Sequence, residues 1–381
     1  MVLNKYLSLG FILVLSTFNI AIGFVLFSLY ITVTFRFTTT PRFKLIAIAL
    51  CFKCFLILLI NYVYSEKSLF YLLQTLSTDV FFLLILFLRF DAGDVKKFIR
   101  PLIALFFLDL AFNLSLIIFG VDPLGRVSGY RPDDFLLRLH GVFKSPMFTV
   151  AIATSGVFVG LFLQKRWLVA LGFFAILING TLRAPLTAIL IVSFYVLLKL
   201  RVRFGLLVLC FFGFAGLVVL ATVISASQSG VLLYGGDGVI LSDGSFFISG
   251  NELRVFAWTS AIEQILDSPW IGNHHFSQGE FIMSADAILD FGIAEAPWLQ
   301  LALDYGVIVP ILDFLVLFTL VKSNIQRCYQ DRSSNFNFTV ALFSIVMFTE
   351  RFYGVLYGTY FLTPMFLLCC VSAIEPKLRR A

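Results

Sequence analysis

Residues 184–225 read APLTAILIVSFYVLL, KLRVR, FGLLVLCFFGFAGLVVLATVIS: two apolar runs parted by a short segment carrying Lys199, Arg201 and Arg203. A helix covers about 30 Å of hydrocarbon in roughly 17–25 residues, so runs of this length punctuated by cations predict membrane-crossing helices joined by a tight turn. The pattern recurs along the 381 residues, which are 60% hydrophobic and 13% charged, with a mean hydropathy of +0.98. A core bathed in water has no room for that much apolar surface, and lipid is the expected solvent. Further runs predict spans over 45–64, 69–88, 101–120, 146–163, 296–321, 336–354 and 358–374. A shorter run from Trp167 breaks at Asn179-Gly180, and so either spans tilted or stops short.

The expected fold is therefore an all-α polytopic integral membrane protein of 11–12 transmembrane helices in one transmembrane domain, 1–381. The count turns on the N-terminus. If 7–35 is one helix the chain begins outside; a break near Ser16-Thr-Phe-Asn19 gives two short helices and a start inside. No small-residue cleavage site follows the first run, which is expected to stay in the mature chain.

A net charge of +6 raises the question of a polyanionic partner, and the distribution of the charge answers it. Of 28 Lys and Arg, 18 lie in six short segments: Arg36–Lys44, Arg89–Arg100, Lys165–Arg166, Lys199–Arg203, Lys322–Arg332 and Lys377–Arg380. By the positive-inside rule these are cytoplasmic turns, and the charge reports topology and not nucleic acid. The expected location is a membrane crossed many times, with these turns on its cytoplasmic side. Cys51, Cys54, Cys210, Cys369 and Cys370 lie in apolar runs, so no disulfide framework is expected, and Cys51-Phe-Lys-Cys54 reads as helix packing.

Two stretches exceed a turn, 121–145 and 226–295, and both fall outside the membrane on the face opposite the basic turns. The larger carries nine acidic residues and a single Lys or Arg, Arg254. Within it Leu253, Ala257, Ala261 and Ile265 recur every four positions, with Trp258, Ile262 and Leu266 beside them. This predicts an amphipathic helix against the membrane face, stopped at Asp267-Ser-Pro269. Inside the spans Lys53, Asp79, Asp109, Asp304 and Asp313 are costly in lipid and are expected to face the bundle interior, paired or as a relay.

The sequence has no P-loop, zinc-protease His-Glu-x-x-His, Gly-x-Ser-x-Gly elbow or dinucleotide fingerprint, which argues against nucleotide-driven or hydride chemistry. What remains is a set of outer-face arginines: Arg126, Arg131, Arg138, Arg183, Arg254 and Arg351. A guanidinium keeps its charge at that depth, so it lines a wet cavity, pairs with an anion or snorkels to headgroups. A lipid-linked diphosphate is an anion at the same depth, and it matches the guanidinium fork.

Three pieces of the sequence carry a resemblance. They are Arg254-Val-Phe-Ala-Trp258 followed by Pro269-Trp-Ile-Gly272 and Trp298-Leu-Gln-Leu-Ala-Leu-Asp-Tyr-Gly306; Thr181-Leu-Arg183-Ala-Pro; and Arg138-Leu-His-Gly141-Val-Phe143. In composition and order, over roughly residues 126–310, they resemble the O-antigen polymerase and O-antigen ligase superfamily. The family has an Arg-x-x-x-Trp helix, a Pro-x-x-Gly turn and a Leu-Gln span ending in Gly. The resemblance implies a glycosyltransferase of the GT-C type, acting on an undecaprenyl-diphosphate-linked oligosaccharide at the periplasmic face with no cofactor, no nucleotide and no metal. A separate chain-length regulator is an implied partner, beside membrane lipid.

Carried over by position, Arg183 and Arg254 hold the donor diphosphate. Arg138, with Arg131 and His140, lines the sugar cleft, and Trp258, His274 and His275 complete the candidate binding residues. The ligase branch has His-Asn just before the Leu-Gln span; here Glu295-Ala296 stands there, which favours the polymerase branch. Glu295 reads equally as the base that takes the acceptor hydroxyl proton and as an ordinary helix start beside Pro297. Asp286 and Asp290, four apart, have metal-pair spacing but read as loop solvation. The alternatives are ligation of polymer to a lipid A core and, from another class, a lipid-linked oligosaccharide flippase or transporter.

Overall fold

In lipid a backbone N–H or C=O finds no water, and helices satisfy both groups within one segment. The computed structural model describes residues 25–26, 29–30, 33, 36–37, 43–64, 69–89, 92–119, 141, 146–179, 183–228, 239–240, 246–247, 250–272, 297–331 and 333–353. Among them are eleven helices: α1 Lys44–Tyr64, α2 Leu69–Leu86, α3 Ala92–Phe119, α4 Pro146–Leu163, α5 Arg166–Leu177, α6 Arg183–Lys199, α7 Phe204–Gln228, α8 Gly250–Asp267, α9 Pro297–Tyr305, α10 Ile308–Gln330 and α11 Asn335–Tyr353. The only strands among the described residues are two-residue antiparallel ladders. In one, β1 (Arg36–Phe37) pairs with β2 (Leu88–Arg89); in the other, β3 (Val239–Ile240) pairs with β4 (Phe246–Phe247).

Lys44–Tyr64, Leu102–Phe119 and Ile308–Gln330 are long and apolar enough to cross a membrane, and five further apolar helices are shorter. The chain is a helical membrane protein. Most expected spans coincide with helices to within about three residues. The span at 358–374 and the question of one or two N-terminal helices lie outside the described residues.

Two expectations are corrected. The basic segment Arg89–Arg100 is not a turn throughout, because α3 begins at Ala92 and runs through the charges into the apolar run. In Gly-Asp-Val-Lys-Lys-Phe-Ile-Arg only Gly93 disfavours a helix, by about 1 kcal/mol, and a charged first two and a half turns can stand in water while the rest is in lipid. The expected single span 296–321 is two helices, α9 and α10, separated at Gly306-Val307. Hydropathy runs on through the break; backbone geometry does not.

The question at Trp167 resolves toward the shorter reading. The twelve residues of α5 reach about 18 Å, well short of the hydrocarbon thickness. It lies close against α4, where a methyl added at Gly160 would meet the Val169 nitrogen at 2.7 Å and one at Gly172 the Val157 nitrogen at 2.7 Å. Small residues let two backbones touch where lipid supplies no hydrophobic drive.

At the centre stands α11, which packs on α4, α6, α7, α9 and α10. Every residue from Thr339 to Thr349 is buried. A helix apolar all round belongs in such a position, and its hydroxyls bond back into their own helix, Ser344 Oγ to the Ala341 carbonyl at 2.8 Å and Thr349 Oγ1 to that of Ile345 at 2.9 Å. Its Phe348 ring meets Phe211 at 4.8 Å and Phe314 and Trp298 at 5.4 Å each.

The basic turns gather at one end of the bundle. Tyr329 Oη donates to the Val202 carbonyl at 2.7 Å and Asn335 Nδ2 to that of Leu161 at 2.8 Å, tying the α10–α11, α6–α7 and α4–α5 turns together. Register Arg36↔Arg89 pairs two more basic segments with each other. Chain direction then sets the starts of α6 and α10 at the opposite end.

Candidate functional site

The opposite end carries the start of α6 and the packed pair α8 and α9. α8 forms because its apolar residues fall on one stripe, and Ala261 and Ile265 are buried against Ala302 and Leu303 of α9. Ile262 and Leu266 stay exposed on its other side. The helix ends at Asp267, as its sequence predicts, and Ser268-Pro-Trp-Ile-Gly272 closes a turn through the Gly272 N–H to the Ser268 carbonyl at 3.0 Å and Ser268 Oγ to the Gly272 carbonyl at 2.9 Å.

That turn is locked to the α9–α10 break. The Val307 N–H donates to the Pro269 carbonyl at 2.8 Å. Gly272 and Gly306 both take the left-handed conformation, at φ +73° and +77°. A methyl at Gly306 would lie 2.3 Å from the Trp270 carbonyl oxygen, and one at Gly272 2.6 Å from the carbonyl oxygen of Leu303. Left-handed backbone and contact this close both require glycine. The Pro-x-x-Gly turn and the glycine that ends the Leu-Gln helix, some 34 positions apart in sequence, are thus two halves of one joint.

α9 is fixed from its other face by charge. Trp298 Nε1 donates to Asp313 Oδ2 at 2.7 Å. Lys53 Nζ lies 2.6 Å from Asp313 Oδ1 and 2.9 Å from Asp79 Oδ2. Lys53, Asp79 and Asp313 are 2%, 6% and 3% exposed, so this is a cation between two carboxylates within the bundle, and low polarity strengthens each attraction while punishing the loss of any member. Gln300 Nε2 donates to Asp304 Oδ1 at 2.9 Å, one turn along α9. On α3, Asn113 Nδ2 donates to Asp109 Oδ2 at 3.2 Å, and Asn113 Oδ1 accepts the Gly141 N–H at 3.0 Å. All five charged residues expected to face the interior do so.

Several motif positions therefore have structural work. Gln300 of the Leu-Gln pair holds Asp304. Gly141 of the Arg-x-x-Gly-x-Phe piece sits where a methyl would strike Asp109 and Thr149.

One motif residue is different. Trp258 is one helical turn from Arg254 on α8, and its indole nitrogen is buried with no hydrogen-bond partner among the described residues. A buried, unmet donor costs about 1–3 kcal/mol and calls for a water or a ligand. Of the other expected site residues, Arg183 opens α6 and Arg254 lies in the second turn of α8, both described in backbone only. Their two helices are joined through α7, α9 and α11: α8 packs on α7 and α9, and α11 packs on α6, α7 and α9. Arg131, Arg138, His140, His274, His275 and Glu295 lie outside the described residues, as do Asp286 and Asp290. Among the described residues no three His, Cys, Asp or Glu cluster as a metal site would need.

What sequence reasoning missed is the Trp298–Asp313 bond and the joint at Gly306. The signal for the second was present: a glycine followed four residues later by Pro310, the pattern of one helix stopping and another starting. Compared with known protein families and with curated proteins, the chain matches none.

Proposed function

We propose that the chain is a polysaccharide-repeat polymerase of the O-antigen type, moving a growing glycan from undecaprenyl diphosphate to the terminal sugar of another lipid-linked repeat. The reading rests on the resemblance of its motifs in order. The observation that carries it is the buried indole N–H of Trp258, which meets no acceptor among the described residues, one turn along from Arg254 on a helix locked to the Leu-Gln helix.

In this reading the end of the GT-C-like bundle away from the basic turns is periplasmic, and 226–295 is the periplasmic loop. Arg254 and Arg183 neutralise the departing diphosphate, whose release drives transfer without a nucleotide. Trp258 donates to a phosphate or sugar oxygen. Arg138, Arg131, His140, His274 and His275 are the further sugar-side candidates. Glu295 takes the acceptor proton or serves only to start α9.

Two variants test it in reconstituted membranes supplied with purified lipid-linked repeats. Arg254→Ala, with insertion retained, is expected to leave single repeats unextended; normal long chains would sink the assignment. Trp258→Phe removes the unpaired donor together with part of the bicyclic ring. The space left is expected to cost about 1–2 kcal/mol of stability, while extension by the protein that stays folded slows roughly tenfold.

A second reading, transport of a lipid-linked oligosaccharide, is favoured by the Lys53–Asp79–Asp313 cluster. The same assay separates the two, since a transporter moves the repeat across the bilayer without lengthening it.

A further inference from the structure

The end of the bundle carrying the basic turns holds a pocket of about 240 Å³, built from the last turn of α6, the last turn of α10 and the start of α11. Its polar lining includes Lys199, Arg201, Tyr329, Asp331, Ser333 and Ser334. The geometry points to a binding site for a phosphate-type anion, the headgroup of an acidic phospholipid being the source that its depth favours.

The first argument is backbone conformation. α6 ends in a Schellman turn, with the Val202 N–H on the Leu197 carbonyl at 3.2 Å and the Arg201 N–H on that of Leu198 at 3.1 Å. The residue at the turn is Arg201, at φ +54°. Glycine is the usual occupant, and an L side chain in left-handed backbone costs roughly 1–2 kcal/mol. The sequence places a guanidinium there against that cost.

The second is charge. The Lys199 ammonium is held over two aromatic rings, 4.7 Å from the Phe338 centroid and 5.7 Å from that of Tyr195, which fixes a cation at the edge of the pocket. Asp331 is the acid in the lining, and both of its oxygens are engaged, Oδ1 by Ser333 Oγ at 3.0 Å and Oδ2 by Asn337 Nδ2 at 3.3 Å. Opposite the cations α11 begins, capped by Ser334 Oγ accepting the Asn337 N–H at 3.1 Å, so the positive end of the helix dipole adds to the same field. Two cations and a helix start outweigh the charge of Asp331 and suit one anion, and the volume, below that of drug-sized pockets, suits a headgroup. Basic pockets between helices on the cytoplasmic side are where acidic lipids dock.

The test uses the full chain in nanodiscs of phosphatidylcholine with or without phosphatidylglycerol, and in detergent with inorganic phosphate. Melting temperature and lipid retention in native mass spectrometry are read together. Wild type is expected to melt several degrees higher and to retain phosphatidylglycerol through delipidation. Lys199→Met keeps an unbranched side chain beside the rings without the charge, and Arg201→Gly relieves the left-handed backbone. The double variant is therefore expected to fold, yet to bind phosphatidylglycerol roughly tenfold more weakly. Lys165→Ala/Arg166→Ala on the adjoining turn removes equal charge and is expected to bind as wild type. A rise with inorganic phosphate equal to that with phosphatidylglycerol supports the anion site and assigns it to a soluble ligand. Equal behaviour in the two lipids, or equal loss in both double variants, would overturn the proposal.

Discussion

At the scale of single residues, the Lys53 ammonium carries the heaviest consequences. It is held by Asp79 and Asp313, and Asp313 in turn holds the indole of Trp298. Removing one member of a buried ion cluster leaves uncompensated charge and costs about 3–5 kcal/mol, whereas removing all charges together is often nearly neutral. Lys53→Met is therefore expected to lose most folded protein. The triple variant with Asp79→Asn and Asp313→Asn is expected to recover it, both read as monodisperse material after heating in detergent. If the single variant melts like wild type, the cluster is not a structural tie. That these groups face inward was legible from the cost of charge in lipid. Their pairing was not, because Lys53 and Asp313 are 260 positions apart and only the packed helices bring them together.

At the scale of elements, the joint between the Pro269–Gly272 turn and the α9–α10 break decides whether α8 is held. Gly306→Ala forces a methyl onto the Trp270 carbonyl and imposes left-handed backbone on an L residue; it is expected to cost well over about 2 kcal/mol and to free α8 from α9. Gly213→Ala, in α7 where an added methyl meets nothing within 4 Å, is expected to be neutral or to gain about 0.5–1 kcal/mol. Limited proteolysis between residues 250 and 297 reads the difference, and equal cleavage of both variants would remove the joint from the account. The helices themselves were legible, α4 to the residue, because lipid allows little else. The break at Gly306 was marked by that glycine and by Pro310 four residues on, but hydropathy runs through Tyr-Gly-Val-Ile-Val and says nothing of the close backbone contact that demands the glycine.

At the scale of the whole molecule, the segregation of charge predicts which end of the bundle faces the cytoplasm. With native cysteines replaced, a single cysteine at Trp270, which is 68% exposed, is expected to react with an impermeant maleimide added outside intact cells. One at Lys165 should react only after lysis. The reverse pattern would turn the bundle over and move the proposed transferase centre to the cytoplasm. The candidate site was legible as a motif order and not as a geometry: Gln300 and Gly141 serve packing, and the buried indole N–H of Trp258 meets no acceptor among the described residues.

The enclosed position of α11 bears on assembly. It follows α4, α6, α7, α9 and α10 in synthesis, yet it fills the space that all five share. Until the ribosome has delivered Asn335–Tyr353, those earlier helices have only lipid or one another to lean on, so completion of the bundle is gated by one of its latest helices. Nascent chains halted before Asn335 are accordingly expected to be cleared by membrane quality control, however well their individual helices have inserted.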